Sequence, residues 1–305
     1  MFKAVVTDLD GTLLNAEHKV SEFTKETVKL LLKEGIKFYI ATGRNYLGAK
    51  EAMDELGVQI PLITSHGSVA FDENGNEIFS NKLKREYLDK VLNIDYKSFG
   101  KDIIITGYAG SNWFVTEDLR EYFYNKKPDR TRYPQQITPK EFKKQDFTKI
   151  FFLGEDHDEL LELENEIKRV VGEENISLLF ANEGSLEVFP ADCNKAKAAE
   201  VLLERDGLTL KDAVSFGDGL NDYDLITQTG LGFAMENSIY LLLEKLTDTE
   251  IIASNANDGM AKKVREIFDL QDWRKKENLC IKQLLVIWME LCWAEVIMLQ
   301  NLLKM

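Results

Sequence analysis

The sequence is poor in cysteine, histidine and positive charge. Its 305 residues hold three Cys, three His, and 38 Lys and Arg against 52 Asp and Glu, a net charge of −14. Cys193, Cys280 and Cys292 have neither paired nor metal-type spacing. That excludes a disulfide framework and fits a reducing compartment, so a cytoplasmic location is expected. The chain lacks the basic footprint of a nucleic-acid binder, and no nucleic-acid partner is expected. An acidic protein that handles an anionic substrate must concentrate positive charge locally, through a metal, a lysine or helix N-termini. The first residues run straight into an apolar segment, with no basic stretch ahead of it, so no signal peptide is expected.

Long hydrophobic runs are also scarce. Leu284 to Leu303 comes nearest, but Glu290, Glu295, Gln300 and Asn301 interrupt it. A membrane span tolerates such charges poorly, so no membrane partner is expected. A helix apolar on most sides wants burial against the core or a second chain. Residues 271–305 are therefore expected to form an apolar helical tail through which the chain could self-associate.

What the sequence does contain is a core. Hydrophobic residues make up 44% and charged residues 30%, as in a folded soluble protein. The length suits two domains or one large one. The organising stretch is Ala4-Val5-Val6-Thr7-Asp8-Leu9-Asp10-Gly11-Thr12-Leu13-Leu14. A short apolar, β-branched run closed by a turn signal reads as a buried parallel strand. Ligands in open α/β sheets bind at the carboxyl ends of the strands, where Asp8 and Asp10 fall. Two neighbouring carboxylates repel each other and want a cation, and hard oxygen ligands favour Mg²⁺. A carboxylate can also attack phosphorus. Equally, the two acids could simply cap a turn.

Three further stretches end apolar runs in polar or glycine-rich turns. A helical pattern from Ser21 to Gly35 leads to a strand over residues 36–41, which closes in Thr42-Gly43-Arg44. This strand–helix–strand order places the second strand parallel to the first. Lys195 precedes a helix over residues 196–204, where a cation opposes the macrodipole unless an anion binds. A strand over residues 212–216 ends in Gly217-Asp218-Gly219-Leu220-Asn221-Asp222, a second acidic strand end rich in glycine. A third strand over residues 61–64 ends in Ser65-His66-Gly67, and Asn74-Gly75 marks a hairpin after it.

Between these stretches the texture changes. Residues 82–189 alternate hairpin and helix patterns, including a helix over 119–125 and a polar loop over 126–140 that carries Pro128, Pro134 and Pro139. Such mixing suggests an α+β module with an antiparallel sheet. Residues 1–81 and 190–270 form the surrounding α/β core domain on this reading.

Taken together and in order, these motifs resemble the haloacid dehalogenase superfamily, in its Cof-like phosphatase branch. Asp8 to Thr12 looks like the first motif, Thr42-Gly43-Arg44 the second, Asn194-Lys195 the third and residues 217–222 the fourth. The resemblance implies a Rossmann-like core with a parallel sheet and an inserted cap domain at residues 82–189. It implies that Asp8 is the nucleophile and Asp10 the acid and base. It implies that Thr42, Gly43 and Lys195 bind the phosphoryl oxygens. It also implies that Mg²⁺ is held by the Asp8 carboxylate, the Asp10 backbone carbonyl and Asp218, with Asn221 and Asp222 supporting the metal and orienting Lys195, and Arg44 in support. The activity implied is hydrolysis of small phosphorylated metabolites, of the sugar phosphate, flavin mononucleotide or pyridoxal phosphate class. A phosphomutase of the same fold and a non-catalytic metabolite-binding protein are the alternatives. Two positions depart from the pattern: His66 stands where the family has Asn, and Ala196 where it has Gly.

Overall fold

The computed structural model describes residues 2–110, 112–119 and 134–270. Residues 120–125 of the expected helix over 119–125, residues 126–133 of the expected loop and the apolar tail over 271–305 lie outside the described residues.

Two sheets organise the described residues. The first begins with β1 (Ala4–Thr7), β2 (Lys37–Ala41), β3 (Leu62–Thr64), β4 (Val69–Phe71) and β5 (Glu77–Ser80). The second holds β6 (Ile104–Ala109), β7 (Asn112–Val115), β8 (Gln135–Gln136), β9 (Lys149–Leu153), β10 (Ile176–Asn182) and β11 (Ser185–Pro190). The chain then returns to the first sheet with β12 (Ala213–Gly217), β13 (Leu231–Met235) and β14 (Glu250–Ile252). The first sheet has the order β14-β13-β12-β1-β2-β3-β4-β5 and the second β10-β11-β9-β6-β7-β8.

In the first sheet every pair from β14 to β3 is parallel, and β4 and β5 add an antiparallel hairpin at one edge. Side chains alternate between faces along a strand. Thus Val5 joins one core with Phe38, Phe216 and Phe233. Ala4 and Val6 join another with Tyr39, Ala196, Ala199 and Leu203. Helices Glu22–Lys33 and Gly259–Ile267 supply Val28, Leu31, Met260 and Val264 to the first core, and helix Lys195–Arg205 covers the opposite face. Burial on both faces is why β1 reads as an unbroken apolar run.

The second sheet is antiparallel except that β8 runs parallel to β7. The expected antiparallel sheet is present, and the two-residue β8 is its one parallel addition among the described residues. The long connection from β7 to β8 permits it, since a parallel return needs a crossover longer than a hairpin loop. The last two residues of the stretch read as loop open helix Pro139–Phe142, started by a Thr138 capping box with Pro at its first turn. One face of this sheet packs Ile105, Ile150, Phe152, Leu186 and Val188 against Leu88, Leu163 and Ile167 of helices Arg85–Leu92 and His157–Val171. Among the described residues no helix is long and apolar enough to cross a membrane.

Candidate active site

The chain leaves β1 toward β2 on one side, and β12 enters on the other. This reversal of strand order opens a crevice at the carboxyl ends of β1 and β12. Asp8 follows the first strand and Asp218 the second. A cleft of about 2080 Å³ lies above them, lined from the first sheet by Asp8, Thr42, Arg44 and Asp218 and from the second by Tyr108, Lys149, Phe151 and Glu187.

The turn after β1 is a single loop closed by Leu14 N–H donating to the Leu9 carbonyl at 2.9 Å. Gly11 adopts φ +79°, a conformation costly for other residues. A Cβ there would lie 2.3 Å from Asp218 Oδ2, so glycine also lets the two acidic turns meet. Thr12 Oγ1 donates to Asp218 Oδ1 at 2.7 Å and ties them together. The place of Thr12 in the first motif does not by itself reveal this contact.

Lys195 is the first residue of its helix, and Asn194 caps that helix by accepting from Lys197 N–H at 2.8 Å. The Lys195 side chain is buried and donates to Asp8 at 2.5 Å and Asp222 at 2.6 Å. Two carboxylates thus offset the unfavourable placement of a cation at a helix start. Burial lowers the Lys195 pKa, but Asp222 and Asp8 outweigh it and hold the ammonium charged. Burial pushes the Asp8 carboxyl well above the usual range, against the pull of Lys195, with Asp222 and Asp218 adding to the rise. Burial, then Asp222, pushes Asp218 up to about 6. An acidic cluster so poised lacks positive charge.

Asp8, Asp218 and Asp222 each bring a carboxylate oxygen within 4.8 Å of the others, a group that could hold a metal ion. All-oxygen donors suit Mg²⁺ or a similar hard cation. Asp222 already has both oxygens engaged, one by Lys195 and the other by the N–H groups of Asp218 and Gly219 at 3.0 Å each. The Asp10 carboxylate lies outside this group. Arg44 grips it, with Nε donating to Oδ2 at 2.7 Å and Nη2 to Oδ1 at 2.5 Å.

The second-motif turn stands beside Asp8 because β2 neighbours β1. Arg44 N–H donates to Thr42 Oγ1 at 3.1 Å. The Thr42 hydroxyl keeps its own hydrogen for an incoming oxygen. The Lys195 ammonium is hydrogen-bonded to Asp8 and Asp222 and not to Asn221, which the family role pairs with it. Asn221 Nδ2 lies 3.0 Å from His66 Nδ1 instead. Of the residues singled out from the sequence, Asp8, Lys195, Asp218 and Asp222 form one cluster, and Asp10 and Arg44 form a pair beside it. Thr42 and Gly43 line the same cleft, which also places Asn221 on its wall. Ala196 is buried in the core next to Ala198 and Ala199, so no backbone freedom is needed there. Two lining residues, Lys149 and Glu187, were not anticipated. The available signal was a charge inside an apolar strand pattern, Leu186-Glu187-Val188 and Lys149-Ile150-Phe151.

A family model described as haloacid dehalogenase-like hydrolase matches residues 5–264. A protein of Buchnera aphidicola subsp. Baizongia pistaciae, whose name places it provisionally among phosphatases, is 36% identical over 276 residues, covering 88% of this chain and 99% of that one. An HMP-PP phosphatase of Yersinia pestis is 29% identical over 264 residues, covering 86% of this chain and 93% of that one. A haloacid dehalogenase-like hydrolase structure from Bacteroides thetaiotaomicron superposes with a TM-score of 0.74 at 25% identity, over 88% of this chain and 100% of the other. The motifs, the cluster at the switch point and these similarities agree: the chain belongs to the haloacid dehalogenase-like hydrolases, as an enzyme of the phosphatase kind.

Proposed function

We propose that the protein is a Mg²⁺-dependent phosphatase of the cytoplasm that acts on small phosphorylated metabolites through an aspartyl-phosphate at Asp8. Sugar phosphates, flavin mononucleotide and pyridoxal phosphate represent the substrate classes. The observation that carries this reading is Asp8 itself: buried, bonded to Lys195, and one of three clustered carboxylates at the strand switch point. A pure binding site for an anion gains nothing from a buried carboxylate facing it.

Asp8 and Asp218 would hold the cation, which supplies charge to offset both the carboxylates and the phosphoryl oxygens. Thr42 Oγ1 and the Lys195 ammonium bind phosphoryl oxygens and stabilise the charge spread over them in transfer. An Asp8 oxygen attacks phosphorus as the bond to the leaving oxygen breaks, and Asp10 gives that oxygen a proton. Water then attacks phosphorus and passes a proton to Asp10. The bond to Asp8 breaks, phosphate departs, and both carboxyl groups return to their starting state. The second sheet stands over the cleft, where it excludes bulk water and meets the leaving group.

The test is phosphate release from a panel of phosphorylated metabolites, with Mg²⁺ or with EDTA, by wild type and Asp8→Asn. Release that requires Mg²⁺ and disappears in the variant supports the reading. Equal release by Asp8→Asn, or none from any compound by folded wild type, rejects it.

A further inference from the structure

Lys149 and Glu187 share the face of the second sheet that meets the first. Glu187 pairs in register with Phe151, and Lys149 lies two residues before Phe151 on the same strand. Their neighbours Ile150, Phe152, Leu186 and Val188 fill the core on the other face. Both charged residues are buried, at 3% and 7% exposure. A buried ion pair gains little stability over apolar residues of the same size, so its presence asks for another account.

The contacts supply one. Lys149 Nζ donates to Glu187 Oε1 at 2.9 Å and to the Gly43 carbonyl at 2.9 Å. Glu187 Oε2 pairs with His66 Nε2. The Asn221 amide nitrogen, which can only donate, faces His66 Nδ1 at 3.0 Å. Nδ1 is therefore the acceptor, and Nε2 carries the hydrogen given to Glu187. An unbroken chain runs from the fourth-motif turn through His66, Glu187 and Lys149 to the second-motif turn.

His66 is built into this place. Ser65 and His66 both hold positive φ, +49° and +58°, which is uncommon outside glycine and clusters at functional sites. The ring stacks on Phe189 of the second sheet at 4.8 Å. It also lies against Gly43, where a Cβ would come within 2.4 Å of Cε1. The same turn secures the second motif, with Ser65 N–H donating to the Arg44 carbonyl at 2.8 Å and His66 N–H to the Thr42 carbonyl at 3.1 Å.

The Gly43 carbonyl that Lys149 holds belongs to the same planar peptide as the Arg44 N–H, and that N–H donates to Thr42 Oγ1 at 3.1 Å. Fixing one end of the plane fixes the other. We propose that Lys149 is a positioning residue: carried by the second sheet and aimed by Glu187 and His66, it sets the Gly43–Arg44 peptide and thereby the phosphate-binding hydroxyl of Thr42. The inference rests on the phosphatase reading, in which Thr42 binds a phosphoryl oxygen. Its consequence is that the phosphate pocket is complete only while the second sheet is seated on the first. Separating the sheets breaks Lys149–Gly43 and Glu187–His66 but leaves the Lys149–Glu187 pair intact within the second sheet.

The experiment is a double-mutant cycle on the full chain, with inorganic phosphate as the probe, titrated calorimetrically in Mg²⁺. Lys149→Met is expected to weaken phosphate binding about tenfold, and the double variant with Thr42→Ala to bind no more weakly than Thr42→Ala alone, because coupled residues are not additive. Lys149→Arg, which retains a donor, restores most of the loss. Effects that multiply, wild-type binding by Lys149→Met, or no phosphate binding by wild type overturns the inference. Should Lys149→Met fail to fold in a thermal melt, Glu187→Gln, which frees Lys149 from its anchor, must weaken binding in the same direction and also lose its effect on Thr42→Ala. Turnover of the monoester panel is measured on the same samples. Wild type that binds phosphate yet hydrolyses nothing rejects the phosphatase reading and leaves the cycle decisive for Lys149.

Discussion

Arg44 holds both oxygens of Asp10, at 2.7 and 2.5 Å, from the turn after the neighbouring strand. Arginine's planar fork fixes a carboxylate in orientation as well as position. A proton donor must be aimed at the oxygen it protonates, and small misplacements cost large factors in rate. Arg44→Met is therefore expected to lower kcat about tenfold or more on alkyl phosphates, and Arg44→Lys to recover only part of it. The loss should be much smaller with 4-nitrophenyl phosphate, whose leaving group needs little protonation. Equal losses on both substrates would show that Arg44 does not act through Asp10.

Gly11 lets the first acidic turn approach the second. Its positive φ and the 2.3 Å approach to Asp218 leave no room for a methyl group. Gly11→Ala is expected to destabilise the fold by about 1–3 kcal/mol. It should also displace Asp218 and raise the Mg²⁺ concentration needed for half-maximal activity. A Mg²⁺ titration of turnover, paired with denaturant unfolding, checks both effects.

The acidic cluster should make the metal-free protein sensitive to rising pH. Asp218 has its pKa raised by burial and Asp222 from 3.8 to about 6, and Asp8 is raised likewise. For a carboxyl whose folded value lies above its unfolded one, the favourable contribution is complete below the unfolded value and is lost as pH climbs through the folded value. Unfolding in EDTA should show stability falling between pH 3.8 and about 6 from Asp218, with Asp8 contributing in the same direction. Asp218→Asn removes part of that fall and should stabilise the metal-free protein near neutral pH by about 1–2 kcal/mol. Added Mg²⁺ should reverse the ranking, since only the wild type gains from binding it.

Glu187 carries the opposite sign. Burial raises its pKa, but Lys149 and His66 outweigh burial and bring it from 4.5 to about 2. Its stabilising contribution is present above 4.5 and is lost as pH falls toward about 2. Glu187→Gln should erase this acid-side loss and lower stability at neutral pH by about 3 kcal/mol, because it leaves Lys149 buried without its counter-charge. Urea unfolding across the acid range separates the two effects. An unchanged pH slope would remove Glu187 as the titrating group.

Much of the site could be read in the linear order. Strands β1, β2 and β12 announce themselves as short apolar runs closed by Asp, Thr or Gly, because a parallel strand buried on both faces needs no alternation. Parallel pairing then brings their carboxyl ends together, which is why Asp8, Thr42 and Asp218 could be named beforehand. Lys195 was visible as a cation placed against a helix dipole. Helix Tyr46–Leu56 starts where it does because Asn45 caps it by accepting from Gly48 N–H at 2.9 Å.

The sequence by itself determined the acidic strand ends, the alternation of strand and helix that makes the core parallel, and the identity of the family. These follow from local preference and short-range periodicity. Only the tertiary structure decided the partners: Arg44 on Asp10, Asp222 beneath Lys195, Asn221 on His66, and Lys149 and Glu187 reaching the first sheet from the second. The residues of each pair lie 27 or more positions apart, and Glu187 is 121 from His66. Hydrogen bonds and ion pairs form over about 3 Å, a distance no periodicity along the chain encodes. Whether a charged side chain in a strand faces water or a buried counter-charge depends on which sheet face is covered, and that is fixed when the two sheets pack.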